Sequence, residues 1–358
     1  MVTYPSDWEK DTVSNVVDIT TGCRDTQDNK ANGKYPFFVR SPIVERIDVA
    51  DFDCEAVLTA GDGIGTGKVY HYVKGKFSAH QRVYVMSNFR NIDGKYFYYF
   101  FSKNFFKEVE KYTAKSSVDS VRRAMIADME FVHPSVSEQR EIVKVLSDFD
   151  AYIDNLSELI NKKKSIRDGA LVDLISGRTR LEGFDYEWDN GKIGDILKIL
   201  HGKSQRGVES YNGKYPILGT GGVIGKATEY LCDWECVLIG RKGTIDKPIY
   251  MNSPFWTIDT LYYSKPVENQ CVKFQYYIFC AIPWYDYTES SGRPSLSRKV
   301  IENIPIRIPK YEEQQAIASV LTAMDKEIEN LEAERDKMIQ IREGAMDDLL
   351  TGRVRLTV

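Results

Sequence analysis

Two stretches of this chain space their apolar residues by alternating steps of four and three. Ile142, Leu146, Phe149, Ile153, Leu156 and Ile160 do so in the first, and Ile317, Leu321, Met324, Ile328 and Leu331 in the second. That spacing is the seam of a coiled coil, with Asp, Glu and Lys filling the outer positions. Each stretch follows a proline, Pro134 or Pro309, and places Glu138 or Glu313 in its first turn, where a negative charge suits a helix N-terminus. Ser135 or Ser137 can cap the first. Each stops at a glycine, Gly177 or Gly352, that suits a left-handed C-cap. The pattern predicts helices over 138–176 and 313–351, about 58 Å long at ~1.5 Å per residue. A stripe this long needs a partner stripe, and the chain supplies one in its other helix. The alternatives are that each helix packs on its own domain or pairs between molecules.

Ahead of each helix, over 8–134 and 188–309, the pattern changes. Short β-branched and aromatic runs such as Val57-Leu58-Thr59, Val83-Tyr84-Val85-Met86, Val237-Leu238-Ile239-Gly240 and Leu261-Tyr262-Tyr263 are punctuated by Gly, Pro, Asn and Asp. These read as strands joined by turns, with a few helices such as Lys95 to Val109. The expected class is α+β: two strand-rich domains joined by two long antiparallel coiled-coil helices. The expected boundaries are 1–134 and 181–309 for the domains, 135–180 and 310–358 for the helices.

The two halves are copies of one another. Trp8 recurs as Trp188, and Asn32-Gly33-Lys34-Tyr35-Pro36 as Asn212-Gly213-Lys214-Tyr215-Pro216, at an offset of 180 that Glu55, Val57, Leu58, Gly63 and Tyr70 also keep. Further on the offset is 175. Glu138-Gln139 pairs there with Glu313-Gln314, Ile166-Arg167-x-Gly169-Ala170 with Ile341-Arg342-x-Gly344-Ala345, and Gly177-Arg178-x-Arg180-Leu181 with Gly352-Arg353-x-Arg355-Leu356. A repeat of half the chain is too long for a solenoid unit and means two domain-sized copies of one design. Joining the C-terminus to the N-terminus would give domain–helix–domain–helix with equal links, a pseudo-twofold ring.

Composition confirms a folded chain: 358 residues, 42% hydrophobic and 12% aromatic. No apolar run reaches membrane-spanning length, and Met1-Val2-Thr3-Tyr4-Pro5 does not read as a signal peptide. The cysteines at 23, 54, 232, 236, 271 and 280 lack the density of a disulfide scaffold, so a cytoplasmic location with reduced thiols is expected. The net charge of −4 averages unlike segments. Residues 192–310 carry 16 Lys/Arg against 11 Asp/Glu, residues 311–350 carry 4 against 11, and residues 9–134 carry 18 against 17. Neither domain has the basic field of a protein that holds DNA tightly alone.

Several motifs suggest chemistry and fail on inspection. Gly61-Asp62-Gly63-Ile64-Gly65-Thr66-Gly67-Lys68 looks like a phosphate loop, but Asp62 stands where the first glycine belongs and Val69 where Mg²⁺ needs a hydroxyl. Either it is a turn that brings backbone amides near a phosphate backbone, or it is a structural turn. Gly219-Thr220-Gly221-Gly222-Val223-Ile224-Gly225 misses the dinucleotide fingerprint because Ile224 occupies the third glycine position. Cys232 and Cys236 have no second ligand pair among His71, His80, His133 and His201, so no zinc site is expected and the pair reads as two small hydrophobes. No nucleophile elbow, metalloprotease helix or adenine-methyltransferase tetrapeptide is present, and no cofactor is expected. Arg241-Lys242-Gly243-Thr244 and Ser290 to Arg298 remain, polar loops whose Arg can reach guanine edges and whose hydroxyls can hold phosphates. The competing reading of each is a solvated loop.

The chain resembles the specificity subunits of Type I restriction–modification systems over essentially its full length. The resemblance is carried by the two Pro-x-x-x-Glu-Gln helix openings, their continuations Ile142-x-x-Val145-Leu146 and Ile317-x-x-Val320-Leu321, and the two Gly-Arg-x-Arg-Leu endings. Gly292-Arg293-Pro294-Ser295-Leu296-Ser297 and Asn303-Ile304-Pro305-Ile306 add to it. It implies two target-recognition domains, each reading half of a bipartite double-stranded DNA target. It also implies two helices that set the spacer and dock two methyltransferase subunits, with restriction subunits joining the full complex. Adenine methylation and cleavage would belong to those partners, not to this chain. Candidate DNA contacts are Lys34, Lys68, Lys115, Thr220, Arg241, Lys242, Thr244, Ser291, Arg293 and Ser295. In copy one, Ser116 to Arg123 stands where Gly292 to Arg298 stands in copy two, which suggests that the halves read different sequences. A coiled-coil scaffold carrying two protein-binding domains is the rival class.

Overall fold

The computed structural model describes residues 4–63, 65–111, 120–288, 292 and 294–356. The chain divides into two compact units: residues 1–157 with 334–358, and residues 158–333.

Unit 1 is built on a six-stranded sheet in the order β2-β7-β5-β6-β3-β4. Its strands are β2 (Asp18–Thr21), β3 (Tyr35–Phe38), β4 (Glu45–Ile47), β5 (Phe52–Ala60), β6 (Tyr70–Ala79) and β7 (Val83–Ser87). β1 (Glu9–Thr12) and β8 (Glu130–His133) pair separately. Helices α1 (Val13–Val16), α2 (Gly94–Glu110) and α3 (Arg123–Ala127) complete the domain. Asp93 caps α2 by accepting from the amides of Lys95 and Tyr96. The helix then buries Tyr96, Phe97, Phe100, Phe101 and Phe105 in one core with Phe131. At roughly 25 cal/mol per Å² and 150–250 Å² per ring, this aromatic block dominates the unit's burial.

Unit 2 repeats the plan with β9 (Asp189–Lys192), β10 (Leu197–His201), β11 (Tyr215–Gly219), β12 (Gly222–Ala227), β13 (Cys236–Gly240), β14 (Ile249–Met251), β15 (Trp256–Thr257), β16 (Leu261–Pro266) and β17 (Pro305–Ile308). Its helices are α5 (Ile193–Ile196), α6 (Val272–Ala281) and α7 (Arg298–Glu302). The single sheet of unit 1 becomes two here, β10-β16-β13-β14 and β12-β11-β15. The cause is local. The long β6 corresponds to β14 plus β15, and Pro254 between them has no N–H to give a ladder. The registers also refine the repeat. Val57 opposes Tyr72 and Val237 opposes Tyr250, so the partner of Tyr250 is Tyr72 and not Tyr70. Between the ladder partners Leu238 and Ile249 the chain is two residues shorter than between Leu58 and His71, which moves the offset from 180 to 178.

The seam stretches lie in α4 (Val136–Ser176) and α8 (Tyr311–Leu349). Within each unit the two helices run antiparallel. In unit 1, Arg342 Nε donates to Asp150 at 2.5 Å and Tyr152 Oη to Glu334 at 2.5 Å. In unit 2, Lys163 pairs with Glu327 at 2.7 Å and Arg167 with Asp325 at 3.2 Å. The seam residues divide their work. Ile142 and Leu146 sit in the unit 1 core beside Met346, Leu349 and Leu350. Ile317 and Leu321 sit in the unit 2 core beside Leu171 and Leu174. Leu156, Ile160 and Ile328 are buried; Phe149, Ile153, Met324 and Leu331 are half-buried. Packing on the domain and packing on the other helix therefore occur together. Both helices close on a glycine with φ near +70°, Gly177 and Gly352. Among the described residues no helix is long and apolar enough to cross a membrane.

Candidate nucleic-acid interface

In unit 2 the two polar loops singled out by sequence meet. Gly240 ends β13 where a Cβ would lie 1.9 Å from the Thr244 carbonyl oxygen, so only glycine allows the tight return. The returning chain then pairs with the segment before α7. Lys242 and Ser295 form an antiparallel bridge, Gly243 N donates to Pro294 O at 3.0 Å, and Leu296 N donates to Arg241 O at 2.9 Å. Leu296 is buried under this bridge, and Tyr262 Oη donates to its carbonyl at 3.3 Å. Lys242 is exposed, while Arg241, Thr244 and Ser295 are half-buried. Arg241 Nη1 donates to Asp259 O at 3.4 Å, which ties one end of the guanidinium to the backbone.

Unit 1 builds the same frame from different side chains. Asp62 bridges Ser120, Val121 N donates to Gly61 O at 2.7 Å, and Tyr84 Oη donates to Val121 O at 3.2 Å. Asp62 thus stands at the place of Lys242. It collects two arginines, Arg40 at 2.9 Å and Arg82 at 3.8 Å. Arg40 and Arg82 occupy the positions of Thr220 and Thr260, and sequence reading passed over both. Their signal was the repeat itself, since Arg40 lies 180 residues before the candidate Thr220.

The glycine-rich loop of unit 1 lines an open cleft with Arg40, Ser41, Pro42 and Lys68. Lys68 is exposed, with Nζ 5.8 Å from the Phe106 ring. Two histidines flank this region and add no charge to it at neutral pH. Burial lowers the pKa of His71, and burial followed by the nearby Arg40 lowers that of His80. The positive charge here therefore comes from arginine and lysine alone.

The remaining candidates fall elsewhere. Lys34 precedes β3, at the opposite end of that strand from Arg40 and about 20 Å away at ~3.3 Å per residue. Its Nζ sits 5.3 Å from the Tyr35 ring, as Lys214 Nζ sits 5.5 Å from Tyr215. The glycines of this repeated Asn-Gly-Lys-Tyr-Pro run face backbone: a Cβ on Gly33 would lie 2.3 Å from Ile47 N, and one on Gly213 2.7 Å from Ala227. Thr220 is half-buried in the β11–β12 turn, and β12 just after it exposes Val223 and Ile224. Lys115, Ser291 and Arg293 lie outside the described residues. Cys232 and Cys236 are buried with their sulfurs 3.9 Å apart.

The repeated helix openings and endings do a structural job at each junction. Glu313 is 2% exposed, yet it accepts from Arg180 Nε and Nη2 at 2.7 and 2.8 Å and from Trp188 Nε1 at 2.9 Å. Glu138 accepts from Arg355 at 2.7 Å, and Arg355 also reaches Asp7. Gln139 and Gln314 each donate to their helix-opening proline carbonyl at 2.9 Å and accept the amide of Asp93 or Cys271. In unit 2 the chain runs unbroken from Arg180 to Trp188. In unit 1 Arg355 and Trp8 meet from distant parts of the sequence, the guanidinium 5.8 Å from the Trp8 ring, but Trp8 Nε1 finds no acceptor where Trp188 Nε1 reaches Glu313.

Comparison with known proteins follows this architecture. The chain is 23% identical to the Type I restriction enzyme MjaVIII specificity subunit of Methanocaldococcus jannaschii, over 98% of this chain and 94% of that one. It is 29% identical to the Type I restriction enzyme EcoDI specificity subunit of Escherichia coli, over 50% and 40%. The crystal structure of the S subunit of a Type I restriction–modification system from M. genitalium superposes with a TM-score of 0.71, at 20% identity over 96% of each chain. The family model of the Type I restriction modification DNA specificity domain matches twice, at residues 5–164 and 186–339. This duplicated chain belongs to the Type I restriction–modification DNA specificity family.

Proposed function

We propose that the chain is the sequence-reading subunit of a Type I restriction–modification complex and that each unit's strand-rich domain reads one half of a bipartite DNA target. The observation that carries this reading is the loop bridge present in both units. Its backbone is the same at Asp62–Ser120 and Lys242–Ser295, and its side chains differ in charge. A fixed frame with variable side chains suits recognition of two unlike half-sites, because base edges are read by side chains and register is held by backbone. Lys242, Arg241, Thr244 and Ser295 are the contacts proposed in unit 2, and Arg40, Lys68 and Arg82 in unit 1.

Methylation and cleavage belong in this reading to partner subunits. Ile166 and Ile341 are equivalent positions on α4 and α8, exposed by 50% and 43%. Beside them Gly169 and Gly344 leave open space where a Cβ would stand. Two equivalent apolar helix faces suit two copies of one partner, which supports docking of two methyltransferase subunits. Restriction subunits would join that assembly.

Replacing residues 188–309 with the corresponding domain of another family member tests the division of labour. Adenine-methylation profiling should show one half of the modified motif changed and the other kept. A change in both halves, or in neither, removes the modular reading.

A further inference from the structure

Strands β1 and β8 of unit 1 carry a side-chain cluster that DNA reading does not use. Glu9 opposes His133 across the antiparallel ladder, and Asp11 follows two residues on, on the same face. One carboxylate oxygen from each acid and an imidazole nitrogen of His133 all lie within 4.8 Å of one another.

The imidazole is the informative member. His133 is 4% exposed, and its Nε2 is buried without a hydrogen-bond partner. The Asp11 carboxylate is 3.7 Å away, too far for a hydrogen bond. The other nitrogen, Nδ1, lies 3.1 Å from the Pro134 carbonyl oxygen, and the ring stacks on Phe131 at 4.9 Å. Gln139 Nε2 lies 3.3 Å from the same Nδ1, so both of the ring's protein contacts are made through that nitrogen. Nε2 is left facing two carboxylates with no partner of its own, and in the tautomer with Nδ1–H given to the Pro134 carbonyl it is free to bind a metal ion.

The second copy is an internal control. Asp189, Gly191 and Ile308 occupy the places of Glu9, Asp11 and His133, in the same register. There the space is filled by hydrocarbon: Ile308 Cδ1 lies 2.6 Å from where a Gly191 Cβ would be. The fold therefore does not need a polar cluster at this point, and unit 1 buries an imidazole there at a desolvation cost.

We propose that Glu9, Asp11 and His133 bind one divalent transition-metal ion of the Zn²⁺ class, with water completing the coordination. One imidazole nitrogen and two carboxylate oxygens suit Zn²⁺ better than Mg²⁺ or Ca²⁺, which prefer oxygen alone. The exposed Glu9 side chain can rotate to close the set. The ion would clasp the first strand of the chain to the strand that runs into α4.

The test uses the full chain, stripped with chelator and titrated with ZnCl₂ by calorimetry, with metal content measured after dialysis. The control is the double variant Asp11→Gly, His133→Ile, which installs the residues unit 2 already accommodates. Wild type should retain one more Zn²⁺ per chain than the variant, and Zn²⁺ should raise its melting midpoint and leave the variant's unchanged. Should the double variant fold poorly, Glu9→Gln, a change at an exposed side chain, should weaken Zn²⁺ binding on the order of tenfold or more. Equal uptake by wild type and these variants overturns the site, as does no uptake by wild type. A thiolate charge-transfer band as the only signal with Co²⁺ also overturns it, because it would place the ion on a cysteine.

Discussion

Glu313 is a carboxylate with 2% exposure, and its charge is tolerable only because three donors converge on it. Removing one partner of such a buried pair leaves an uncompensated charge, at about 3–5 kcal/mol. Arg180→Ala should therefore destabilise unit 2 by about 3 kcal/mol, softened by the part of Arg180 that solvent already reaches. Arg180→Lys should recover only part of this, since an ammonium cannot make the two parallel bonds. Chemical denaturation followed through Trp188 fluorescence measures both. At the interface, Lys242 answers to a different observable. Lys242→Ala should weaken binding of the assembled complex to all DNA sequences alike and reduce the slope of log affinity against log salt by about 1. A change confined to one base position would make Lys242 a base reader instead, and unchanged binding would remove this loop from the interface.

At the scale of elements, glycine separates structural need from open space. Gly352 has φ +70°, and a Cβ there would lie 2.5 Å from Pro5. Gly169 sits mid-helix with nothing within 4 Å of such a Cβ. Gly352→Ala should cost more than ~1 kcal/mol through strain and clash, whereas Gly169→Ala should stabilise α4 by about 0.5–1 kcal/mol. Thermal unfolding of the two variants gives opposite signs if this holds, and lost partner assembly in Gly169→Ala would assign that glycine to a docking surface. The elements were also where the sequence was most legible. A 4-3 seam, a proline before and a glycine after define α4 and α8 within two residues, because helix periodicity and caps are local. Strand pairing is not local. Nothing in the composition of β14 and β15 announces that Pro254 splits a sheet, and the two-residue slip that pairs Tyr250 with Tyr72 appears only once the ladders are seen. The interface was half legible for the same reason. Arg241 and Lys242 stand out as a polar loop, while Arg40 has only its place in the repeat to mark it and Arg82 becomes visible when Asp62 gathers both.

For the whole molecule, the proposed reading makes the two helices set the separation of the half-sites. The division between units falls after residue 157 in α4 and after residue 333 in α8. A heptad inserted at both points leaves every contact inside each unit intact and keeps the apolar seam in phase. It lengthens each helix by about 10 Å at ~1.5 Å per residue. That corresponds to roughly three base pairs at ~3.4 Å each. Those base pairs also turn the far half-site by roughly 100°, given ~10.5 base pairs per helical turn. The lengthened protein should therefore prefer a longer spacer and bind it more weakly, since DNA or domains must twist to meet. Inserting the heptad in one helix alone should disrupt the seam and abolish activity, because only matched lengths keep the residues of α4 opposite those of α8. Methylation motifs of the two variants provide the measurement. An unchanged spacer at full activity in the doubly lengthened protein would show that something other than these helices measures the DNA.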